Sequence, residues 1–462
     1  MRGRFLLTAP QVDLPLLHAY NEGHCRKEFT VRIISVAGQG YEAAARALTR
    51  TTLQDNPDTE AVVRQIVADV RIQGDRVLLE LGRRFDCPTL DSLEVTDEEW
   101  NAACAQIDAL SRQTVETAAQ NIERFHLPQR RASWTDALPG KITGQIIRPL
   151  ERVGVYVPGG SAVYPSSVLM CAIPARVAGV SEIVICMPAR RDGSLHPLAL
   201  FAARLAGVHR VFKIGGAQAV AAMAFGTETV PRVDKVVGPG NIYVNLAKRL
   251  LYGVTDIDML AGPSEVCVVA DEGANPRFAA ADILTQAEHD AECAAYLITP
   301  SEAMAHAVAR EIETQLAALA RRDILRTALD NHGAIILTES LSQAFELANL
   351  CAPEHLALMV RDPFAALGAI RNAGAILMGD HSPQTLGDYL AGPSHTLPTS
   401  GTARFSSGLN VDTFLKKTNF ISYTPEALAE VAPLLTHFAA VEGFDAHAEA
   451  VRIRMQERGR TP

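Results

Sequence analysis

No apolar stretch in this 462-residue chain approaches the about 18 residues that a membrane-crossing helix needs. Phe5-Leu6-Leu7 follows Arg2 and Arg4 but is too short for the apolar core of a secretory signal, and Asp13 and Glu22 do not suit a transit peptide. A cytoplasmic protein without a membrane partner is therefore expected. A basic excess is also missing: 43 Lys+Arg face 52 Asp+Glu, a formal net charge of −9, and no Lys/Arg-rich run stands out, so nucleic acid is not expected as a partner. The 8 cysteines (Cys25, Cys87, Cys104, Cys171, Cys186, Cys267, Cys293 and Cys351) form no C-x-x-C pair and have mostly apolar neighbours. That distribution excludes a disulfide framework and a Cys-rich zinc site, and leaves nitrogen and oxygen donors for any metal. The full G-x-G-x-x-G dinucleotide fingerprint is absent as well.

Hydrophobic residues at 48% and charged residues at 21% are ordinary globular usage, and the length suits two to four domains at about 100–200 residues each. Residues 1–30 show no sustained period, and the first strand-like piece is Val31-Arg32-Ile33-Ile34-Ser35. From about 40 to 130 apolar residues recur at helical spacing. From Val153 the texture changes to short β-branched runs ended by Gly or Pro, separated by Ala-rich helical segments, the alternation of βα units around a parallel sheet. The segment Ala175-Arg176-Val177-Ala178-Gly179-Val180 returns as Ala203-Arg204-Leu205-Ala206-Gly207-Val208, a repeated helix, Gly stop and strand. Strand ends at Pro158-Gly159-Gly160, Gly215-Gly216-Ala217 and Gly238-Pro239-Gly240-Asn241 let a pyrophosphate approach the backbone, although packing alone also produces such turns. At this point both readings stand.

Asn275-Pro276 reads as the N-cap and first position of a helix on which Gln286 and His289 share a face near the C-terminal end, where both could reach one metal ion or merely face solvent. Glu354-His355 follows Pro353, either as a proton-transfer pair pointing into one cleft or as a charged helix start. Asp388 and His395 lie in a Gly- and Pro-rich stretch, and Glu442 and His447 add a carboxylate and an imidazole in the tail.

The ordered motifs AGPSEV (261–266), QAEH (286–289), APEHL (352–356), GDY with SHTLPT (387–399) and EGFDAH (442–447) resemble the histidinol dehydrogenase family. PGGSA (158–162), YPSSVLM (164–170), IGGAQA (214–219) and GPGN (238–241) do so too, and the match runs from about residue 31 to the C-terminus. The resemblance implies oxidation of L-histidinol through L-histidinal to L-histidine, the last steps of histidine biosynthesis, with two NAD in succession and one Zn2+ per subunit. Carried over by position, it implies Glu354 and His355 as catalytic residues and Gln286, His289, Asp388 and His447 as metal ligands. Ser264, His395 and Glu442 would join His355 and the metal ligands around the substrate, and Tyr156, Gln218 and Asn241 would contact NAD. A homodimer is implied, the tail of one subunit carrying Glu442 and His447 to the other's site. Cys351, three residues before Glu354, could alternatively form a thiohemiacetal with the aldehyde; its apolar neighbours favour a buried, inert thiol.

The expected fold class is α/β, with two doubly wound Rossmann-like βα domains, one inserted in the other, a helical N-terminal region and a small helical C-terminal domain. Residues 31–155 and 265–408 are expected to form the discontinuous first domain with the metal and catalytic residues. Residues 156–264 are expected to form the inserted nucleotide-binding domain, and 409–462 a dimerisation and active-site tail. Residues 1–30 do not fit the family's pattern and read as an extension, conceivably upstream of a start at Val31.

Overall fold

The computed structural model describes residues 31–50, 56–159 and 163–457, so the reading of residues 1–30 lies outside the described residues. Two parallel sheets dominate. The larger has six strands in the order Arg32–Ser35, Gly333–Leu337, Ala294–Thr299, Glu265–Ala270, His355–Met359 and Ala375–Met378. The smaller has five, in the order Arg210–Lys213, Glu182–Met187, Arg152–Tyr156, Lys235–Val237 and Asp256–Ile257. Every residue of Glu265–Ala270 and Ala294–Thr299 is buried, as parallel strands covered on both faces require.

The repeated helix and Gly stop appear as expected. Helices Pro165–Ala178 and Pro197–Ala206 both end at a left-handed glycine, Gly179 at φ 94° and Gly207 at φ 79°, whose N–H groups close on Ala175 and Ala203 carbonyls. Asn275 caps helix Pro276–Ala287 by accepting from the Arg277 N–H, with Pro276 at the first position. That helix stops at Ala287, so His289 stands in the turn beyond it rather than on its last turn.

Three boundaries differ from expectation. The helical segment from Pro57 to His126, assigned above to the domain of the flanking segments, packs on the five-stranded sheet. Trp100, Val115 and Ile122 share a core with Val153, Leu169 and Phe201 on one face; Val63, Val70 and Leu78 share one with Val184, Phe212 and Val220 on the other. Both faces of that sheet are apolar, and the added helices bury what its own crossover helices leave uncovered. Strand Arg152–Tyr156 belongs to this sheet too, so its start precedes the expected boundary at 156. Finally, the C-terminal region is not purely helical: Leu415–Tyr423 pairs antiparallel with all nine residues of Lys141–Pro149, whose other edge takes Trp134–Leu138. Helices Pro425–Glu442 and Asp445–Glu457 follow and pack on each other. No helix among the described residues is long and apolar enough to cross a membrane.

Candidate active site

Glu354 and His355 stand where helix Leu341–Cys351 turns into a central strand, not at a helix start. Ala352 adopts φ 47°, a left-handed conformation that costs an L-residue about 1–2 kcal/mol and reverses the chain. His355 opens its strand beside Glu265–Ala270, in register with Val266. Doubly wound sheets usually bind ligands beyond the C-terminal ends of their strands. This acid and imidazole pair instead occupies the N-terminal edge of the six-stranded sheet.

Both side chains are buried, and His355 lies between two carboxylates: Nδ1 is 3.7 Å from Glu354 Oε2 and Nε2 is 3.5 Å from Asp388 Oδ1. Burial opposes a charge on His355, but Glu354 and Asp388 together outweigh it and raise its pKa. Burial likewise raises Glu354, against the pull of His355, while Asp388 ends below the usual carboxylate range because His355 beside it overcomes burial. Glu354 Oε2 accepts the Glu265 N–H at 2.9 Å, and Ser264 adds a side-chain hydrogen bond to the same carboxyl group. His355 Nδ1 is buried without a hydrogen-bond partner.

Asp388 sits on helix Gln384–Tyr389, which meets helix Pro276–Ala287 through a buried amide pair: Gln384 Nε2 donates to Gln286 Oε1 at 2.5 Å. Gln286 Nε2 and Gln384 Oε1 then lack partners. Turning both amides over preserves the bond with Gln286 as donor and frees its oxygen, the atom a metal would take. His289, exposed in the single chain, is close enough to Asp388 for their charges to interact. His395 Nδ1 donates to the Asp388 carbonyl at 2.9 Å, which leaves Nε2 as acceptor for the Ser167 hydroxyl at 3.2 Å. One chain thus brings together Ser264, Gln286, His289, Glu354, His355, Asp388 and His395. It does not bring Glu442 or His447 there. Both are exposed where the C-terminal helices meet, with the Phe444 and His447 rings 5.0 Å apart, and no group of three His, Cys, Asp or Glu suited to a metal exists among the described residues.

A cleft of about 1030 Å³ opens at the C-terminal ends of the five-stranded sheet, and Tyr156, Gln218 and Asn241 all line it. The Tyr156 hydroxyl accepts the Gly216 N–H at 3.1 Å, and burial pushes that phenol up to about 12. Asn241 caps helix Ile242–Leu251, its side chain accepting the Val244 N–H. Gly238, at φ 110°, admits no side chain, since a Cβ would lie 2.2 Å from the Tyr156 carbonyl oxygen. The loop 394–399 ties the two units together: Ser394 Oγ donates to the Met170 carbonyl on helix Pro165–Ala178 at 3.3 Å, and Thr399 Oγ1 accepts the Gly262 N–H, two residues before Ser264, at 2.5 Å.

Sequence reasoning missed several buried polar residues. Lys248 Nζ donates to the Gly238 carbonyl at 2.5 Å and pairs with Asp258 at 2.8 Å, both side chains 1% exposed, and Asp258 Oδ2 accepts the Gly238 N–H at 2.7 Å. Asn245 ties the same turn to the segment before strand Glu265–Ala270, donating to the Gly240 carbonyl at 2.8 Å and accepting the Ala261 N–H at 3.1 Å. A signal was present, since Lys248 stands four residues after Val244 and three before Leu251, on the apolar face of its helix. Glu265 is buried and pushed up to about 7 by burial and by Glu354. Asp282, pushed up to about 6 by burial, accepts from the Gln384 backbone. Cys351 shares a hydrogen bond with Cys267, and that bond and its burial hold the thiol well above its ordinary value, which disfavours the thiolate a thiohemiacetal would need.

The histidinol dehydrogenase family model matches residues 49–455. A histidinol dehydrogenase of Geobacillus kaustophilus is 50% identical over 412 residues, covering 89% of this chain and 97% of its own length. One of Halalkalibacterium halodurans is 50% identical over 410 residues, covering 88% and 96%. The crystal structure of histidinol dehydrogenase from Elizabethkingia anophelis superposes with a TM-score of 0.89 at 35% identity, over 94% of this chain and 100% of that one.

Proposed function

Since this chain belongs to the histidinol dehydrogenase family, we propose that it oxidises L-histidinol through L-histidinal to L-histidine, using two NAD in succession and one Zn2+ per subunit. The observation that carries the reading is the buried Glu354–His355–Asp388 line at one sheet's edge, together with a cleft of dinucleotide size on the other sheet. Gln286, His289 and Asp388, with His447, form an oxygen and nitrogen donor set suited to zinc, and the unpartnered Gln286 amide atom fits that role. When bound, zinc would orient the substrate's amine and imidazole, and NAD would accept each hydride.

His355 takes the alcohol proton, Nδ1 being free of any hydrogen bond, and Glu354 deprotonates the water that hydrates the aldehyde. Ser264 and the Glu265 N–H fix the Glu354 carboxylate, and Asp388 steadies the imidazole from its other side. Tyr156, Gln218 and Asn241 bind the dinucleotide, with residues near 152–264 as the nucleotide-binding unit and the six-stranded sheet as the catalytic one.

A second copy completes the site. The C-terminal helices expose Leu434 at 69%, Phe438 at 68% and Val441 at 73%, an apolar face beside Glu442 and His447 that a partner subunit would cover. Glu442 would then face the substrate's ammonium or imidazolium group across the interface.

Absorbance at 340 nm tests the reaction. Two NADH per histidinol, lost on chelation and restored by zinc, are expected; one NADH, or no signal with histidinol, refutes the four-electron reading. Mixing inactive His447→Ala and His289→Ala proteins under subunit exchange should restore activity. No recovery in exchanged dimers would mean that each site is built within one chain.

A further inference from the structure

Within the five-stranded sheet the strands lie third, second, first, fourth, fifth in chain order, with the switch between Arg152–Tyr156 and Lys235–Val237. Folds of this order seat a dinucleotide across that switch and hold its adenine ribose with an Asp or Glu at the end of the second strand. Here the second strand ends at Met187 and continues Pro188-Ala189-Arg190-Arg191, without an acid. The first acid after the strand is Asp192, five residues past its end, and a second acid, Asp86, lines the same cleft.

Asp86 follows helix Asp75–Phe85 and lines the cleft beside that strand end. A Cβ on Gly215 would lie 2.7 Å from Pro188 Cβ and 3.4 Å from Asp86 Oδ2, which places the carboxylate against both strand-end turns. Its backbone N–H bonds to the Gly82 carbonyl at 2.9 Å, and the next residue, Cys87, is fully buried, so the position is fixed. Oδ2 is buried with no hydrogen-bond partner. Burial pushes this carboxyl up to about 6 while Arg191 opposes it, as expected of an acceptor that lacks a donor. Asp192 is the other acid on the cleft lining, but it is exposed and its Oδ1 already accepts from the Ser194 N–H at 3.0 Å and hydroxyl at 2.6 Å.

We propose that Asp86 accepts the adenine-ribose hydroxyls of the dinucleotide and, by repelling a 2′-phosphate, sets the preference for NAD over NADP. This rests on the NAD dependence proposed above. The orphaned oxygen would gain its missing donor from a ribose hydroxyl, whereas a phosphate ester there would bring like charge against a buried carboxylate.

The wild-type enzyme tests this without a substitution: 2′-deoxy-NAD (adenosine side) should show a KM about 10- to 100-fold above that of NAD, with kcat nearly unchanged. In Asp86→Ala the NAD KM should rise to a similar value and removing the hydroxyl should then cost nothing further, the signature of a direct contact. Asp86→Asn should narrow the NADP-to-NAD gap in kcat/KM by about tenfold or more. Equal KM values for NAD and its 2′-deoxy form in the wild type overturn the proposal, as does discrimination that relaxes in Asp192→Asn but not in Asp86→Asn. Absence of NADH formation with any dinucleotide would instead refute the reading of the enzyme itself.

Discussion

Replacing Lys248 with methionine should be among the most damaging single changes in the unit built on the five-stranded sheet. The variant keeps nearly the same length and apolar stem, so packing loss is small; the ammonium is what disappears. Its departure leaves Asp258 buried with two backbone donors, Gly238 N–H at 2.7 Å and Met259 N–H at 2.7 Å, and no counter-charge. Breaking a buried pair in this way costs about 3–5 kcal/mol. At about 2–4 °C per kcal/mol for a unit of 150–250 residues, calorimetry should show the melting temperature lowered by roughly 6–20 °C. The Gly238 carbonyl also loses its donor, so the turn that presents Asn241 to the cleft loosens and the NAD KM rises more than kcat falls. Lys248→Met with Asp258→Leu should regain most of the stability, because an apolar replacement of a buried pair is often neutral, but not the NAD affinity, because the turn stays untethered. A single variant that melts within about 1 °C of wild type would refute the uncompensated-charge argument.

Glu265→Gln should stabilise the protein in alkaline solution. The native carboxyl is pushed up to about 7 from 4.5, so between those values the folded state holds the extra proton and stability falls as pH rises; the amide removes that fall, a gain of roughly 3 kcal/mol above pH 7 and none below pH 4.5, seen in urea melts across pH. A flat difference between the two proteins over that range would contradict the assigned burial. Gly238→Ala sets a Cβ 2.2 Å from the Tyr156 carbonyl, so NAD affinity should fall by about tenfold or more with a loss of stability, read by titration and thermal melts. Cys351→Ser should keep kcat within about twofold, since the thiol is buried and held protonated; an inactive but folded variant would revive a thiohemiacetal step. His289→Ala should abolish zinc binding in a chelator competition while leaving NAD titration unchanged.

Local order was readable wherever the chain carries its own punctuation. Gly179 and Gly207 end helices as their position after an apolar run indicates, and Asn275-Pro276 starts one because a side-chain acceptor and a pre-set φ suit only that place. Glu354-His355 was legible as an adjacent acid and imidazole but not as a strand start, because the reversal at Ala352 uses a left-handed alanine that leaves no glycine as a signal. The oxygen and nitrogen donors proposed for zinc were named from spaced motifs. Asp86 and Asp258 were not found, since a solitary aspartate looks the same in sequence whether it faces water or a buried partner.

Period and Gly stops in the residue string established the α/β class, because those features depend on neighbours three or four positions away, whereas most candidate side chains were named from a resemblance in motif order. Which sheet the segment 57–126 covers, why Gly238 tolerates no side chain, and that Lys248 meets Asp258 were settled by contacts between elements. Those contacts follow from apolar area seeking cover and buried charge seeking a partner, and neither demand states in one dimension where it will be met.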